Sequence, residues 1–298
     1  MFSVVLNELK KTRSVSGFFL LASFLVIAIL ISASVEMKKT TSDWRERALE
    51  EREEYEKLYL EGEEGVKTSI EYIDEHLDKG IPYGREDFFS FVRTMQLFYS
   101  FFIALIVFRA FRILTIEWHN STWMNYLTKG ISFGKLHMCK LIAVLFLALC
   151  GIVIYSILAV VFSLALKIPF TSITDIIEMT DTGFAIVDVR KLICLNLVVA
   201  TEKAVFLTVF MDLWCVLFSG NGKCLYVSYF ILFFTSSFVS LISWKVLVDY
   251  TPMSLFMYSF QGDVKTYRVI IVNLIYIVGM LVASCVIAKR TFRRKCMA

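Results

Sequence analysis

Histidine is scarce in this 298-residue chain, and its three copies, His76, His119 and His137, stand far apart without ligand spacing. They read as ordinary polar residues, not as zinc ligands. The seven cysteines, at 139, 150, 194, 215, 224, 285 and 296, form no C-x-x-C pair and none falls in residues 36–93. Scattered in or near apolar runs, they suit small buried hydrophobes better than a disulfide framework. Net charge is only +4, and no basic stripe with stacking aromatics appears, so no nucleic-acid surface is expected. There is no H-E-x-x-H, no G-x-S-x-G and no carboxylate pair on one intramembrane face, which leaves hydrolytic chemistry without an anchor. The nearest approach to a phosphate loop, Gly130-x-x-x-Gly134-Lys135, is one residue short and ends in Leu136, where a hydroxyl for magnesium is needed. It also precedes an apolar run and follows no strand.

What the chain has in abundance is apolar surface: 57% of its residues are hydrophobic and 15% aromatic, with mean hydropathy +0.67. Those values lie outside the range of soluble domains and indicate an integral membrane protein. The aromatics suit a path for amphipathic cargo and lipid-facing belts equally well.

Residues 1–13 place Phe2, Val5, Leu6 and Leu9 on one helical face, followed by Lys10, Lys11 and Arg13, as suits a helix lying along the membrane surface. Ser14 to Val35 then runs 22 residues without a charge, enough to cross the roughly 30 Å hydrocarbon core. Ser32-Ala33-Ser34 resembles a signal-peptide cleavage site, but the run exceeds an ordinary signal core of roughly 7–15 residues and is taken as span one. Spans two to six are expected at about Phe88–Phe108, Leu141–Leu166, Leu192–Phe218, Leu225–Trp244 and Val269–Ala288. Lys167 to Lys191 is read as an outer loop, and the apolar stretch Met253–Phe260 after Pro252 as a short re-entrant piece. The expected fold is thus all-α and polytopic, with six transmembrane helices, an N-terminal interfacial helix and an extracytoplasmic helical insertion between spans one and two.

That insertion, residues 36–93, carries 17 acids against 10 bases and has no run long enough to span. Ser42 or Asp43 caps a helix to about Leu60, with Trp44, Ala48, Tyr55 and Leu58 on one face. Gly62 and Gly65 end it, and a second helix follows near Lys67–Asp78. It is either a solvated cap over the span ends or an outer gate that meets cargo. Three regions result: 1–35, 36–93, and 94–298 with a cytoplasmic loop at 109–137.

Orientation comes from the basic elbow 109–140. There Arg109, Arg112, Lys129, Lys135 and Lys140 oppose the single acid Glu117, and loops rich in Lys and Arg stay cytoplasmic. Five bases after span six (Lys289, Arg290, Arg293, Arg294, Lys295) place the C-terminus on the same side, and an even span count then puts the N-terminus there too. Within the elbow, Ile113, Ile116, Trp118, Trp123, Tyr126 and Leu127 interleave with polar residues. Asn120, Ser121 and Thr122 are available as caps for a short interfacial helix over Ser121–Thr128, and Lys135 and Lys140 can snorkel to the headgroups.

Glu117, then Ser121-Thr122, Leu127, Ile131-Ser132 and Lys135 resembles the pattern between the second and third spans of type-2 ABC exporter permeases. Ser121 stands where that family usually has Gly, and Gly130 where it usually has Pro. Outside residues 36–93 the resemblance extends to span number and order. It implies a permease, not itself an enzyme, that binds no cofactor. ATP and Mg would lie on two separate ATPase subunits, and a second permease chain, identical or paralogous, would complete the complex in a bacterial plasma membrane. Glu117, Ser121, Thr122, Trp123, Leu127, Lys129 and Lys135 would couple the chain to the ATPase. Cargo would be a hydrophobic or amphipathic molecule, such as a peptide toxin, antimicrobial peptide, antibiotic or lipid. Two other classes stay open: a membrane sensor or scaffold whose insertion binds a ligand, and a secondary transporter.

Glu202, Lys203 and Asp212 are the notable ionisable residues inside a span, and such residues are functional candidates by their cost of burial. Alternatively, span four begins later and leaves Glu202 and Lys203 in the outer interface.

Overall fold

The computed structural model describes residues 44–83, 87–96, 98–119, 128–170, 174–180, 183–218 and 264–297, together with the isolated residues 5, 27, 29, 125, 226 and 227. These residues are mostly helical. In chain order the elements are α1 (Trp44–Leu60), α2 (Lys67–Lys79), α3 (Phe88–Gln96), α4 (Tyr99–His119), α5 (Phe133–Ala165), β1 (Asp175–Thr180), β2 (Gly183–Asp188), α6 (Val189–Leu217) and α7 (Val264–Met297). Three helices are long and apolar enough to cross a membrane: α5, α6 and the Tyr267–Arg290 part of α7. They represent the expected spans three, four and six. The N-terminal helix, span one, span five, the re-entrant piece and most of the elbow helix 121–128 lie outside the described residues.

α6 is the hub of the bundle, packed against α4, α5 and α7. One apolar cluster joins Phe91 and Met95 of α3, Ile103, Val107 and Phe111 of α4, Val144, Ile152 and Tyr155 of α5, and Phe206, Leu207 and Met211 of α6. Ile29, from the stretch read as span one, is buried in the same cluster. On α7 the buried residues Val269, Asn273, Ile277, Ser284 and Ala288 recur every three to four positions or a multiple of that, which is one helical face. Ser284 meets Asp212 at a sequence separation of 72. Val216 and Ala288 share a second cluster at the same separation. A constant offset means that α6 and α7 run parallel.

The expected second span is not one straight helix. α3 and the Tyr99–Arg112 part of α4 are bent by 41° and pass as a span only when taken together. No proline or glycine sits at the break. Neighbouring helices instead take up the backbone groups it frees: the Tyr155 hydroxyl donates to the Met95 carbonyl at 3.1 Å, and Phe98 N–H turns back to the same oxygen at 3.1 Å. The Gln96 side chain donates to the Ile193 carbonyl at 3.2 Å and accepts from Asn196 Nδ2 at 3.1 Å, tying the break to α6.

The all-α expectation also needs correction, because the loop 167–191 holds an antiparallel hairpin, β1 paired with β2 from Asp175↔Asp188 to Thr180↔Gly183. The sequence reading made it only a loop, but Ile176, Ile177, Ile186 and Val187 are β-branched, and Gly183 adopts φ +124° at the start of β2. Buried Ile176 packs with Val189 and Leu192 in a small cluster of its own. Asp188 then caps α6, accepting from Arg190 N–H at 2.9 Å.

The insertion forms the two helices expected of it, with a single 3-10 turn at Glu64–Val66 between them and Gly80 closing α2 at φ +63°. Arg52 bridges Glu56 at 2.8 Å and Asp74 at 2.5 Å, joining α1 to α2. Tyr72 donates to the Ile177 carbonyl at 3.2 Å, which seats the insertion on the hairpin.

Candidate functional site

Two polar clusters lie along α6. At its middle, Lys203 Nζ donates to Ser100 Oγ of α4 at 2.9 Å. Glu202, one position away and so turned by about 100°, is 7% exposed, and neither carboxylate oxygen has a hydrogen-bond partner among the described residues. The 72-residue offset puts Asn273 of α7 level with this point. Asn273 is fully buried; its Nδ2 donates to the Val269 carbonyl at 2.9 Å while its Oδ1 has no partner among the described residues. Because α6 runs from Val189 to Leu217, these groups lie near the midpoint of the helix. A carboxylate buried at such a place is costly, which makes Glu202 a functional candidate.

Further along α6, Asp212 is 6% exposed. It accepts a hydrogen bond from Ser284 of α7, and its Oδ2 lies 3.2 Å from His137 Nε2 of α5. The geometry does not meet that of an aligned hydrogen bond, so the His137 contact is one of proximity. His137, read from the sequence as an isolated polar residue, thus becomes the neighbour of Asp212. The available signal was an Asp late in one apolar span and a His early in the preceding one. Beside them, Phe133, Gly134, His137 and Met138 of α5 face Ala288 and Lys289 of α7 across a cavity of about 430 Å³.

The elbow is shorter than the sequence suggested. α4 continues to His119 and α5 starts at Phe133, so Arg109, Arg112, Lys135 and Lys140 are all helical. Backbone hydrogen bonding carries a helix past the last apolar residue, which the positions of the charges did not reveal. Glu117 falls in the last turns of α4; Lys129 and Lys135 are exposed, and Gly130 reverses the chain at φ +75°. Lys140 was expected to snorkel outward but is buried. Ser121, Thr122, Trp123 and Leu127 lie outside the described residues. Nearby, Thr128 donates to the Asn125 carbonyl at 3.0 Å.

At the opposite end, Arg93 of α3 pairs with Glu178 of β1. Tyr83 donates to Glu51 at 2.7 Å, Arg47 donates to the Tyr83 carbonyl at 3.0 Å, and His76 Nδ1 contacts the Ile81 carbonyl at 2.9 Å. Burial holds the His76 ring below its usual pKa of 6.5, against the smaller opposing effect of that carbonyl, and pushes the Tyr72 and Tyr83 hydroxyls up. No group of three or more His, Cys, Asp or Glu side chains among the described residues is arranged to hold a metal ion.

The class that these features define is a helical membrane protein with a polar seam along its central helix and a folded cap over one end. Compared with known proteins, the chain matches no family model, no curated protein and no solved structure.

Proposed function

We propose that the chain is the transmembrane permease subunit of an ATP-driven exporter of the type-2 ABC class, with ATP hydrolysed by separate subunits. The observation that supports the reading most is the form of the elbow. α5 is 33 residues long, about 50 Å, against a hydrocarbon core of roughly 30 Å. α4 likewise runs unbroken from the bend at residue 98 to His119. Two rigid rods therefore project beyond their apolar stretches and hold residues 120–132 between their ends, as a lever pushed from the cytoplasm requires. Glu117 would orient that contact, Lys129 and Lys135 would present charge to the ATPase, and movement of α4 would act on α6 through Lys203 and Ser100.

The test is Glu117→Ala combined with Lys129→Glu in the purified complex. ATP hydrolysis persists while transport of a hydrophobic or amphipathic cargo falls; if ATPase subunits still copurify and transport is unimpaired, the coupling role is wrong. One observation favours a second reading, a secondary transporter: the buried Glu202 carboxylate at the midpoint of α6, which has no hydrogen-bond partner among the described residues. Transport driven by an ion gradient in the absence of nucleotide decides for that alternative.

A further inference from the structure

Charge is almost absent from the apolar runs of this chain. Residues 14–35, 99–108, 141–166, 225–244 and 269–288 contain no Asp, Glu, Lys or Arg, and 192–218 contains only Glu202, Lys203 and Asp212. However those runs pack, Lys203 is therefore the one cation that an apolar run can offer Glu202. Arg93 of α3 is paired with Glu178, and His137 lies beside Asp212, ten residues or about 15 Å further along α6. The other titratable groups in the spans packed on α6 are Tyr99 of α4, Cys150 and Tyr155 of α5, and Tyr276 and Cys285 of α7, phenols and thiols that carry no positive charge in any state.

Lys203 does not bond the acid beside it. Its Nζ donates to Ser100 Oγ at 2.9 Å, and both Glu202 oxygens, closed to solvent, lack a hydrogen-bond partner among the described residues. The other buried side-chain atom of α6 and α7 without a partner there is Asn273 Oδ1, level with this point, and the bond from Nδ2 to the Val269 carbonyl fixes that oxygen as the free end of the amide. A carboxylate only accepts, as does an amide oxygen, so the ionised acid leaves this level of the helix pair with acceptors and no donor. One proton on Glu202 removes the buried charge and supplies a donor. A metal ion would need a shell of several oxygens; a proton needs one.

We propose that Glu202 is a reversible proton-binding site at the midpoint of α6, ionised against the charge of Lys203 in one state and a neutral acid in the other. The carboxylate gains and returns a proton, and no other bond is made or broken. The inference requires only that α6 crosses a membrane; it is the same whether ATP or an ion gradient drives transport.

Infrared difference spectroscopy of the full chain in neutral detergent, titrated from about pH 5 to about pH 10, follows the C=O stretch that protonated carboxyls have and carboxylates lack. One such band is lost reversibly within that range, shifts in heavy water, and is missing in Glu202→Gln. In Lys203→Met, which takes away the cation that favours the ionised form, its midpoint moves to higher pH by about one unit or more. Should Glu202→Gln fail to fold, the unmodified protein decides with dicyclohexylcarbodiimide. This apolar reagent adds the oxygen of a protonated carboxyl to its central carbon while the acid's proton passes to a nitrogen, and peptide mass spectrometry then finds the adduct on Glu202 at about pH 6 and not at about pH 9. The proposal is overturned if no band is lost in Glu202→Gln, if the Glu202 band or adduct yield is the same at both ends of the titration, or if the midpoint does not move in Lys203→Met.

Discussion

Adjacent residues on one helix, Glu202 and Lys203, meet different surroundings because a step of about 100° separates them. Lys203 has a hydroxyl within reach and Glu202 has none among the described residues, so the lysine's charge is the nearest compensation the carboxylate has there. Lys203→Met should therefore lower Tm more than the double variant Glu202→Gln with Lys203→Met, a non-additivity that thermal unfolding of the three proteins measures. Equal losses in the single and double variants would mean that the two charges are independent. His76 carries a pH dependence of its own. Burial keeps its ring neutral in the folded cap, whereas the unfolded chain takes up a proton near pH 6.5. The folded pKa is depressed, so this part of the cap's stability is complete above that pH and is lost as pH falls through and below it. Limited proteolysis at about pH 5 and about pH 8 should show the α1–α2 pair cut faster in acid, and His76→Phe, which keeps a ring against Tyr72 and Tyr83, should remove the difference.

At the scale of elements, the bent pair α3–α4 and the hairpin depend on each other. Arg93 lies on the short helix α3 and Glu178 on the strand it supports, and the Glu178 side chain is only 11% exposed. Arg93→Ala leaves that carboxylate without its cation and should cost roughly 1–3 kcal/mol of docking. Hydrogen exchange in residues 175–188 should then rise while α5 and α6 stay protected; unchanged protection of the hairpin would show that β1 is held by Tyr72 and the Ile176 cluster alone. Legibility from sequence also differed by element. The ends of α1 and α2 could be read because Gly62 and Gly80 take left-handed backbone that stops a helix. The break after Gln96 could not, since it is stabilised by Tyr155 and Ile193, dozens of residues away.

For the whole molecule, the cap and hairpin share one end and the elbow with the cavity lies at the other, so a tag at each end reports the topology. A short epitope at Gly62, a surface turn where an added Cβ meets nothing within 4 Å, should be reached by antibody on intact cells. The same epitope at Lys129–Gly130 should be reached only after permeabilisation; the reverse pattern would invert the molecule and remove the proposed lever. The amino-acid sequence by itself determined that the chain is apolar, helical and membrane-crossing, where its acidic insertion folds, and that α6 carries charges at its core, because length, periodicity and charge balance are local properties. Only the tertiary structure decided that His137 faces Asp212, that Glu202 has no hydrogen-bond partner among the described residues, that α3 and α4 meet at a bend and that residues 175–188 form a hairpin. Each of those outcomes depends on which distant side chains reach a given backbone group or carboxylate, and that is settled by packing.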